Sequence, residues 1–387
     1  ANARLASPLR VVPALCYLLE LLRFVCCMYI PKYSITNEIL RNIELVGAAR
    51  EVIDNALLVP AWEAKFKSDA QTRAAHYGTV LEGNDLTLGE ARLIVERSVD
   101  DYSGAQMVGV VGRERDIQEV INYRRVTEYL EKSKNPIIQE SNLLDIHKLV
   151  VEKLVKDEQL GVYRKTEVVL KNSVTGKIGF RPPLNVEVPI LMKDFFDWLN
   201  SKMGQEVHPV LRAGIGHYVV AAVHPFVEGN GRTARAFATL ILFNEEYDVK
   251  KFLALEEYFD RHADEYFGAL MAVSNQSEYL KERDLTPWLS VFTKALASEL
   301  TRIKEKIREV SVSGLPKKGG IQITLSERQM KIMEYVGQNV GITMGEARKI
   351  IPMVSEDTIL RDFKYLKDKG VLSKKGSTKS ARYMAKK

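Results

Sequence analysis

Two apolar stretches separated by twelve chemically dense residues set the terms for how this chain can fold. Residues 210–223 are apolar on nearly every side (Leu211, Ile215, Val219, Val220, Ala222, Val223), and residues 236–243 equally so. Helices that are hydrophobic all round are buried. Both therefore belong in the interior, and the loop joining them, from His224 to Arg235, is pinned at the centre of the molecule. Pro225 biases His224 away from helical backbone, so the first helix is predicted to stop there and the second to restart at about Arg232.

The joining loop, His-Pro-Phe-Val-Glu-Gly-Asn-Gly-Arg-Thr-Ala-Arg, has the composition of an anion site. Gly229 and Gly231 permit backbone conformations and close approaches that a side chain forbids, so that successive N–H groups can point at one anion. They precede a helix N-terminus, where amide donors are free and the dipole favours negative charge. Asn230 is expected to add a neutral donor. Arg232 and Arg235, three apart, share a helix face and can grip phosphate oxygens through forked bonds. Glu228, a carboxylate beside an anion site, makes sense if Mg²⁺ bridges it to the phosphates. His224, neutral near pH 7, can take a proton from an attacking hydroxyl.

These twelve residues resemble the Fic motif, H-x-F-x-(D or E)-G-N-G-R-x-x-R, at every defined position. That resemblance implies transfer of AMP from ATP to a hydroxyl side chain of a protein target, possibly this protein itself. It makes His224 the general base, Phe226 a buried anchor and Glu228 the Mg²⁺ ligand. Gly229, Asn230 and Gly231 become the anion hole, with Arg232 on the phosphates and Arg235 on the γ-phosphate. A branch of the family that phosphorylates has Lys at the position of Gly231, so Gly231 favours nucleotidyl transfer.

A second element of the same resemblance lies upstream. Gly78-Thr79-Val80-Leu81-Glu82-Gly83 is similar to the family's (S or T)-x-x-x-E-(G or N) inhibitory pattern, with Gly78 departing from it and Thr79 able to supply the hydroxyl. A carboxylate at Glu82 reaching Arg235 would compete with the γ-phosphate for one guanidinium fork. In the family such a glutamate can also position water for the reverse reaction, removal of AMP from a modified target.

The expected fold is mainly α, a helical Fic-type core with a β-hairpin flap and a small C-terminal winged helix. Helices are expected over 36–58, 60–77, 90–99, 114–131, 140–155, 188–200 and 256–274, with another opened by Pro287 and a charged one over 298–309. His147 falls on an apolar face with Leu143, Leu144 and Val150, which reads as a packing residue. Beta-rich runs at 166–170 and 177–180 with a turn between them predict the hairpin. Gly161-Val162-Tyr163-Arg164 before it matches a Gly-x-(Tyr or Phe)-Arg pattern of the family. By the resemblance this flap lies over the site, where Thr166, Glu167, Val168, Lys177, Ile178 and Gly179 would register a target segment by main-chain pairing. The aromatics Tyr258, Phe259, Tyr266 and Phe267 read as core, some of them open to an adenine pocket.

Composition bounds the rest. All three cysteines, Cys16, Cys26 and Cys27, precede residue 28, which leaves the main body with no disulfide framework or thiolate metal site. Residues 1–27 form a short apolar run interrupted by charges, expected to be an upstream extension, with a signal peptide as the alternative. The chain is read as cytoplasmic, with no membrane partner and with homodimers expected from the resemblance. Expected units are 28–110, an N-terminal helical region with the inhibitory glutamate; 111–310, the catalytic core; 311–320, a linker; and 321–387, the winged helix.

The tail concentrates the positive charge. From residue 311 it has 16 Lys/Arg against 7 Asp/Glu, whereas the whole chain is only +6. Helices are expected near 325–339, 344–351 and 356–369, followed by two strands around a turn at 374–377. Arg361 and Lys364 on the third helix and Lys374 and Lys375 on the wing are candidates for DNA contact. The alternative to AMP transfer is therefore a DNA-binding transcriptional regulator whose core senses nucleotide, and a protein-docking tail is open as well.

Overall fold

The computed structural model describes residues 29–56, 58, 60–133, 137–171, 178–247, 249–310, 325–339, 341–352, 354–376 and 381–385. The expected upstream extension at 1–27, the linker at 311–320 and the flap residue Lys177 lie outside these. The fold is mainly helical.

Helix α1 (Asn37–Asp54) starts where Thr36 accepts a hydrogen bond from the Ile39 amide, and buries Ile39, Val46, Ala49 and Ile53 on one stripe. Helix α2 (Pro60–Val80) runs on three residues past the expected end and delivers the Glu82 turn. Short helices α3 (Leu88–Glu96) and α4 (Tyr102–Met107) follow. Helix α5 (Glu114–Lys132) and α6 (Glu140–Val151) then flank the site. The expected helix to residue 155 stops at Val151, because the chain turns there with Lys153 in a left-handed conformation (φ +61°).

The hairpin is shorter than its sequence pattern. Strands β1 (Leu170–Lys171) and β2 (Ile178–Phe180) pair antiparallel, Leu170 with Phe180 and Lys171 with Ile178, with an irregularity between Leu170 and Lys171. Residues 166–169 are not strand. Their groups bond across the base of the hairpin instead, as described below. Helices α7 (Val188–Asn200) and α8 (Lys202–Glu206) lead to the central pair.

Helix α9 (Pro209–Val223) has Pro209 at its start, where no amide is needed, and is buried along almost its whole length. It packs lengthwise on α10 (Asn230–Asn244). The second helix begins two residues before the expected Arg232, since Gly229 at φ +75° turns the chain directly into it. The expected helix over 256–274 is two, α11 (Leu255–Arg261) and α12 (Ala263–Ser274), broken at His262. The charged stretch 298–309 is no separate element. It is the end of the 25-residue α13 (Thr286–Val310), which packs along α1 and buries Trp288, Phe292, Leu296, Leu300, Ile303 and Ile307.

One large core joins α1 to α6–α13. A second, from Ala74 to Tyr123 with Ala254, lies among α2–α5. A third is confined to 332–383. It is built by α14 (Glu327–Gln338), β3 (Ile342–Thr343), α15 (Met344–Ile350), α16 (Glu356–Asp368), β4 (Leu372–Lys375) and β5 (Arg382–Ala385). Its three strands form an antiparallel sheet in the order β3-β5-β4. Strand β3 was not expected from sequence: two residues are too short to carry an alternation.

Candidate active site

His224 ends α9 in a left-handed conformation, φ +52° and ψ +58°, which a histidine rarely adopts. Pro225 excludes the helical alternative, and Arg164 holds the strained carbonyl by a 2.9 Å bond from Nε. His224 Nδ1 lies 3.2 Å from the Ala221 carbonyl. A carbonyl only accepts, so Nδ1 carries the proton and Nε2 keeps its lone pair. Burial pushes the imidazole below its ordinary value, against the opposing influence of the Ala221 bond and the Glu82 carboxylate. The ring is thus neutral, with a basic nitrogen free.

The loop after it is laced internally. Asn230 Oδ1 accepts from the Phe226 amide and Nδ2 donates to the Phe226 carbonyl, both at 2.9 Å. The expected donation of this side-chain amide to an anion is therefore replaced by a structural role, and only the backbone of Asn230 faces the first helical turn. Phe226 is fully buried and stacks on His147, with centroids 3.7 Å apart and planes 5° off parallel. His147 Nδ1 accepts from the Gly161 amide at 3.0 Å, and Nε2 donates to the Glu228 carbonyl at 3.1 Å. Burial pushes this imidazole down to about 4. His147 is a packing residue, as its apolar face indicated, and it also fixes the loop.

Both motif arginines are buried. Arg232 Nε and Nη1 have no hydrogen-bond partner among the described residues, an arrangement that asks for an anion. Arg235 is clamped: Nη2 donates to the Gly78 carbonyl at 2.8 Å and to Glu82 Oε1 at 3.0 Å, and Nη1 lies 3.5 Å from the Tyr266 hydroxyl. Burial would raise the Glu82 carboxyl, but Arg235 and Arg232 outweigh it and hold it below the usual carboxylate range.

Space explains two residues here. A Cβ on Gly231 would stand 2.2 Å from Glu82 Oε1, so the glutamate can lie against α10 only because residue 231 has no side chain. A Cβ on Gly78 would stand 2.9 Å from the Tyr123 ring, so that ring needs a glycine at residue 78. The Thr79 hydroxyl bonds back to the Ala75 and His76 carbonyls within α2. Gly83 closes the turn at φ +94°.

Glu228, the expected metal ligand, receives a hydrogen bond from Arg115 Nη2 and lies 3.5 Å from Arg232 Nη2. Among the described residues no group of three or more His, Cys, Asp or Glu could hold a metal by itself. Arg115 and its neighbour Glu119 were not anticipated. Charges spaced four apart on a helix read as a solvated face, and nothing local shows that they point inward.

Arg164 was quoted only as part of a pattern, yet it ties the hairpin to the site. Its amide donates to the Pro225 carbonyl at 2.9 Å, Nη1 to the Thr166 carbonyl at 3.2 Å, and Nη2 to the Pro183 carbonyl at 2.5 Å. Glu167 accepts from the Asn185 amide at 3.1 Å, closing the neck. Thr166 and Glu167 therefore brace the hairpin, Val168 is half-buried beside them, and Ile178 and the exposed Gly179 lie on β2. Of the aromatics, Phe259 and Tyr266 pack with His217, Trp288 and Phe292, while Phe267 is exposed.

Arg361, Lys364, Lys374 and Lys375 are all exposed, the first two on α16 and the others on β4. They lie on the surface of the elements that build the third core.

Residues 137–242 match the model of the Fic/DOC family. Two proteins named protein adenylyltransferase Fic are similar: that of Nematostella vectensis is 28% identical over 224 residues, covering 56% of this chain and 49% of the relative. That of Culex quinquefasciatus is 26% identical over 217 residues, covering 54% and 39%. The chain thus spans less than half the length of either. A Fic family protein from Desulfovibrio desulfuricans G20 shares the fold over 92% of this chain and 98% of its own, with a TM-score of 0.62 at 21% identity. A Fic-1 fragment from C. elegans does so over 69% and 72%, with a TM-score of 0.52 at 22% identity.

Proposed function

We propose, from the Fic/DOC family domain at residues 137–242, that this chain is a protein adenylyltransferase held in check by Glu82. The observation that carries the reading is the joint presence of a neutral, oriented His224 and a buried Arg232 whose Nε and Nη1 have no hydrogen bond among the described residues, one loop apart. ATP would lie with its phosphates on the first-turn amides of α10 and on Arg232. A target Ser, Thr or Tyr hydroxyl gives its proton to His224 Nε2 as its oxygen bonds to the α-phosphorus. The α–β bridging P–O bond breaks, and pyrophosphate leaves in line.

Glu228 suits Mg²⁺, which takes one or two carboxylates together with phosphate oxygens, and a lone carboxylate fits an ion that arrives with its nucleotide. Bound there, the cation would supply charge to offset that of the phosphates. Glu82 acts by occupying the guanidinium that the γ-phosphate needs, so ATP bound above it is misplaced for attack. The 28–110 region is in this reading the inhibitory module and 111–310 the catalytic core, with self-association of two copies.

The test is incubation of the full chain with Mg²⁺ and α-labelled ATP, wild type beside E82G and H224A. Label on the protein that increases in E82G and is absent from H224A supports the reading. Equal label in H224A overturns it.

The tail supports a second activity. Three helices and a three-stranded sheet around a separate core, with Arg361, Lys364, Lys374 and Lys375 exposed, support the reading of a winged helix that contacts DNA. Duplex binding that weakens steeply with salt and disappears on removal of 321–387 is the expected result. Binding unaffected by that removal would exclude it.

A further inference from the structure

Arg115 and Glu119 stand one turn apart on α5. Besides its bond to Glu228, Arg115 places Nε 3.4 Å from Glu119 Oε1. The same Glu119 oxygen lies 3.4 Å from Arg232 Nη1, and Arg232 Nη2 lies 3.5 Å from Glu228 Oε1. The four side chains close a ring in which guanidinium and carboxylate alternate. Resting on the reading of this loop as a metal–nucleotide site, two members of the ring belong to the substrate and two do not: Glu228 calls for a cation and Arg232 for an anion.

We propose that Arg115 and Glu119 are internal stand-ins for the two halves of the metal–nucleotide, Arg115 on the carboxylate that takes the metal and Glu119 beside the guanidinium that takes phosphate. The two stand-ins are not equally firm. Glu119 is buried, and its Oε2 accepts a 3.0 Å bond from Asn84 Nδ2, which also donates to the Asp116 carbonyl. Arg115 has a side chain 51% exposed and, among the described residues, is held only by the Glu119 and Glu228 carboxylates, so its pair with Glu228 is the weak, displaceable one. Glu119 approaches Arg232 without satisfying it, since Nη1 has no hydrogen bond and Nε has none either. It offsets the buried charge while leaving donors for the phosphate.

Two consequences follow from this geometry. A bare divalent cation at Glu228 competes with a tethered guanidinium, so the metal is favoured only when it comes with a nucleotide. Asn84 lies two residues after Glu82, so the turn 82–84 reaches Arg235 directly and Arg232 through Glu119. One turn thereby holds both motif arginines.

The experiment uses the full chain with Mn²⁺ as probe, alone and with α,β-methylene ATP, free Mn²⁺ being counted by EPR. R115Q should bind Mn²⁺ in the presence of the analogue roughly threefold more tightly, the size expected from releasing one partly exposed ion pair. R115K, which keeps the charge, should stay near wild type, and E228Q should lose binding. R115Q binding no more tightly than wild type, while E228Q is weakened, overturns the stand-in role of Arg115 and leaves the metal site standing. E228Q binding as wild type overturns the metal role of Glu228, and the clasp with it.

Discussion

Glu82 Oε1 lies 3.0 Å from Arg235 Nη2 and would lie 2.2 Å from a Cβ on residue 231, so the glutamate is seated on α10 by a charge on one side and a missing side chain on the other. Removing that carboxylate frees the guanidinium without opening a cavity in the core. E82G should therefore raise AMP transfer about tenfold or more, the scale of one charge-assisted hydrogen bond. Steady-state incorporation of α-labelled ATP measures it, and an unchanged rate would refute the brake.

The missing side chain makes its own prediction. G231A brings a methyl onto Glu82 Oε1, the far end of a flexible and partly exposed side chain, so the carboxylate should swing away from Arg235 and the protein should lose about 0.2–1 kcal/mol with that pair. In the E82G background most of that loss should vanish, because the clashing atom is gone. A double-mutant cycle by chemical denaturation reads the coupling. Additive losses would mean that Glu82 does not rest on residue 231.

The base and the brake titrate differently. Glu82 is held below its ordinary value of 4.5, so its pairing is complete above that value and is lost only as pH falls through the lowered one. The E82G to wild-type rate ratio should accordingly be flat across roughly pH 7–9. His224 is active when neutral, and burial lowers it from 6.5, so the acid limb of kcat/KM should lie below 6.5. Because the Glu82 carboxylate raises His224, that limb should move further to acid in E82G. A ratio that changes tenfold over the neutral range would refute the assignment.

H224A should lower transfer by about 10²–10⁴-fold, as loss of a general base does. Its melting temperature should stay close to that of wild type, since among the described residues the ring makes a single hydrogen bond, to Ala221. Retained transfer would remove the histidine from the chemistry.

H147A removes a stacked ring and two hydrogen bonds from behind the loop. A stability loss of about 2–4 kcal/mol is expected, together with weaker transfer, from denaturant titration and the labelling assay. A surface-like loss below about 0.5 kcal/mol would contradict the loop-bracing role.

Much of the centre was legible in the sequence because several independent signals coincide there. Two helices apolar on all faces force burial, Pro225 ends one, and Gly229 starts the next. The Glu82–Arg235 contact agrees with the pairing expected from a short pattern, and at Gly78, where the chain departs from that pattern, a Cβ would stand 2.9 Å from the Tyr123 ring. The Arg115–Glu228 pair spans 113 positions of chain, and no local pattern encodes such a meeting. Asn230 shows a different limit: an amide side chain can serve a ligand or its own backbone, and the choice is made by a loop geometry that composition does not state. Of the strand expected over 166–170 only Leu170 is strand, since the Thr166 carbonyl bonds Arg164 and the Glu167 carboxylate bonds the Asn185 amide at the neck of the hairpin.

Arg164 turns that neck into a ruler. One guanidinium bonds the carbonyl of His224 and the carbonyls of both hairpin legs, so the strand edge and the base are measured from the same origin. An extended segment laid along the edge would present alternate side chains to opposite faces, and slipping it by one residue would exchange a hydroxyl aimed at His224 for one aimed away. If a target segment pairs there as proposed, selectivity would lie in counting residues along a backbone, which would leave the side chains around the accepting hydroxyl free to vary.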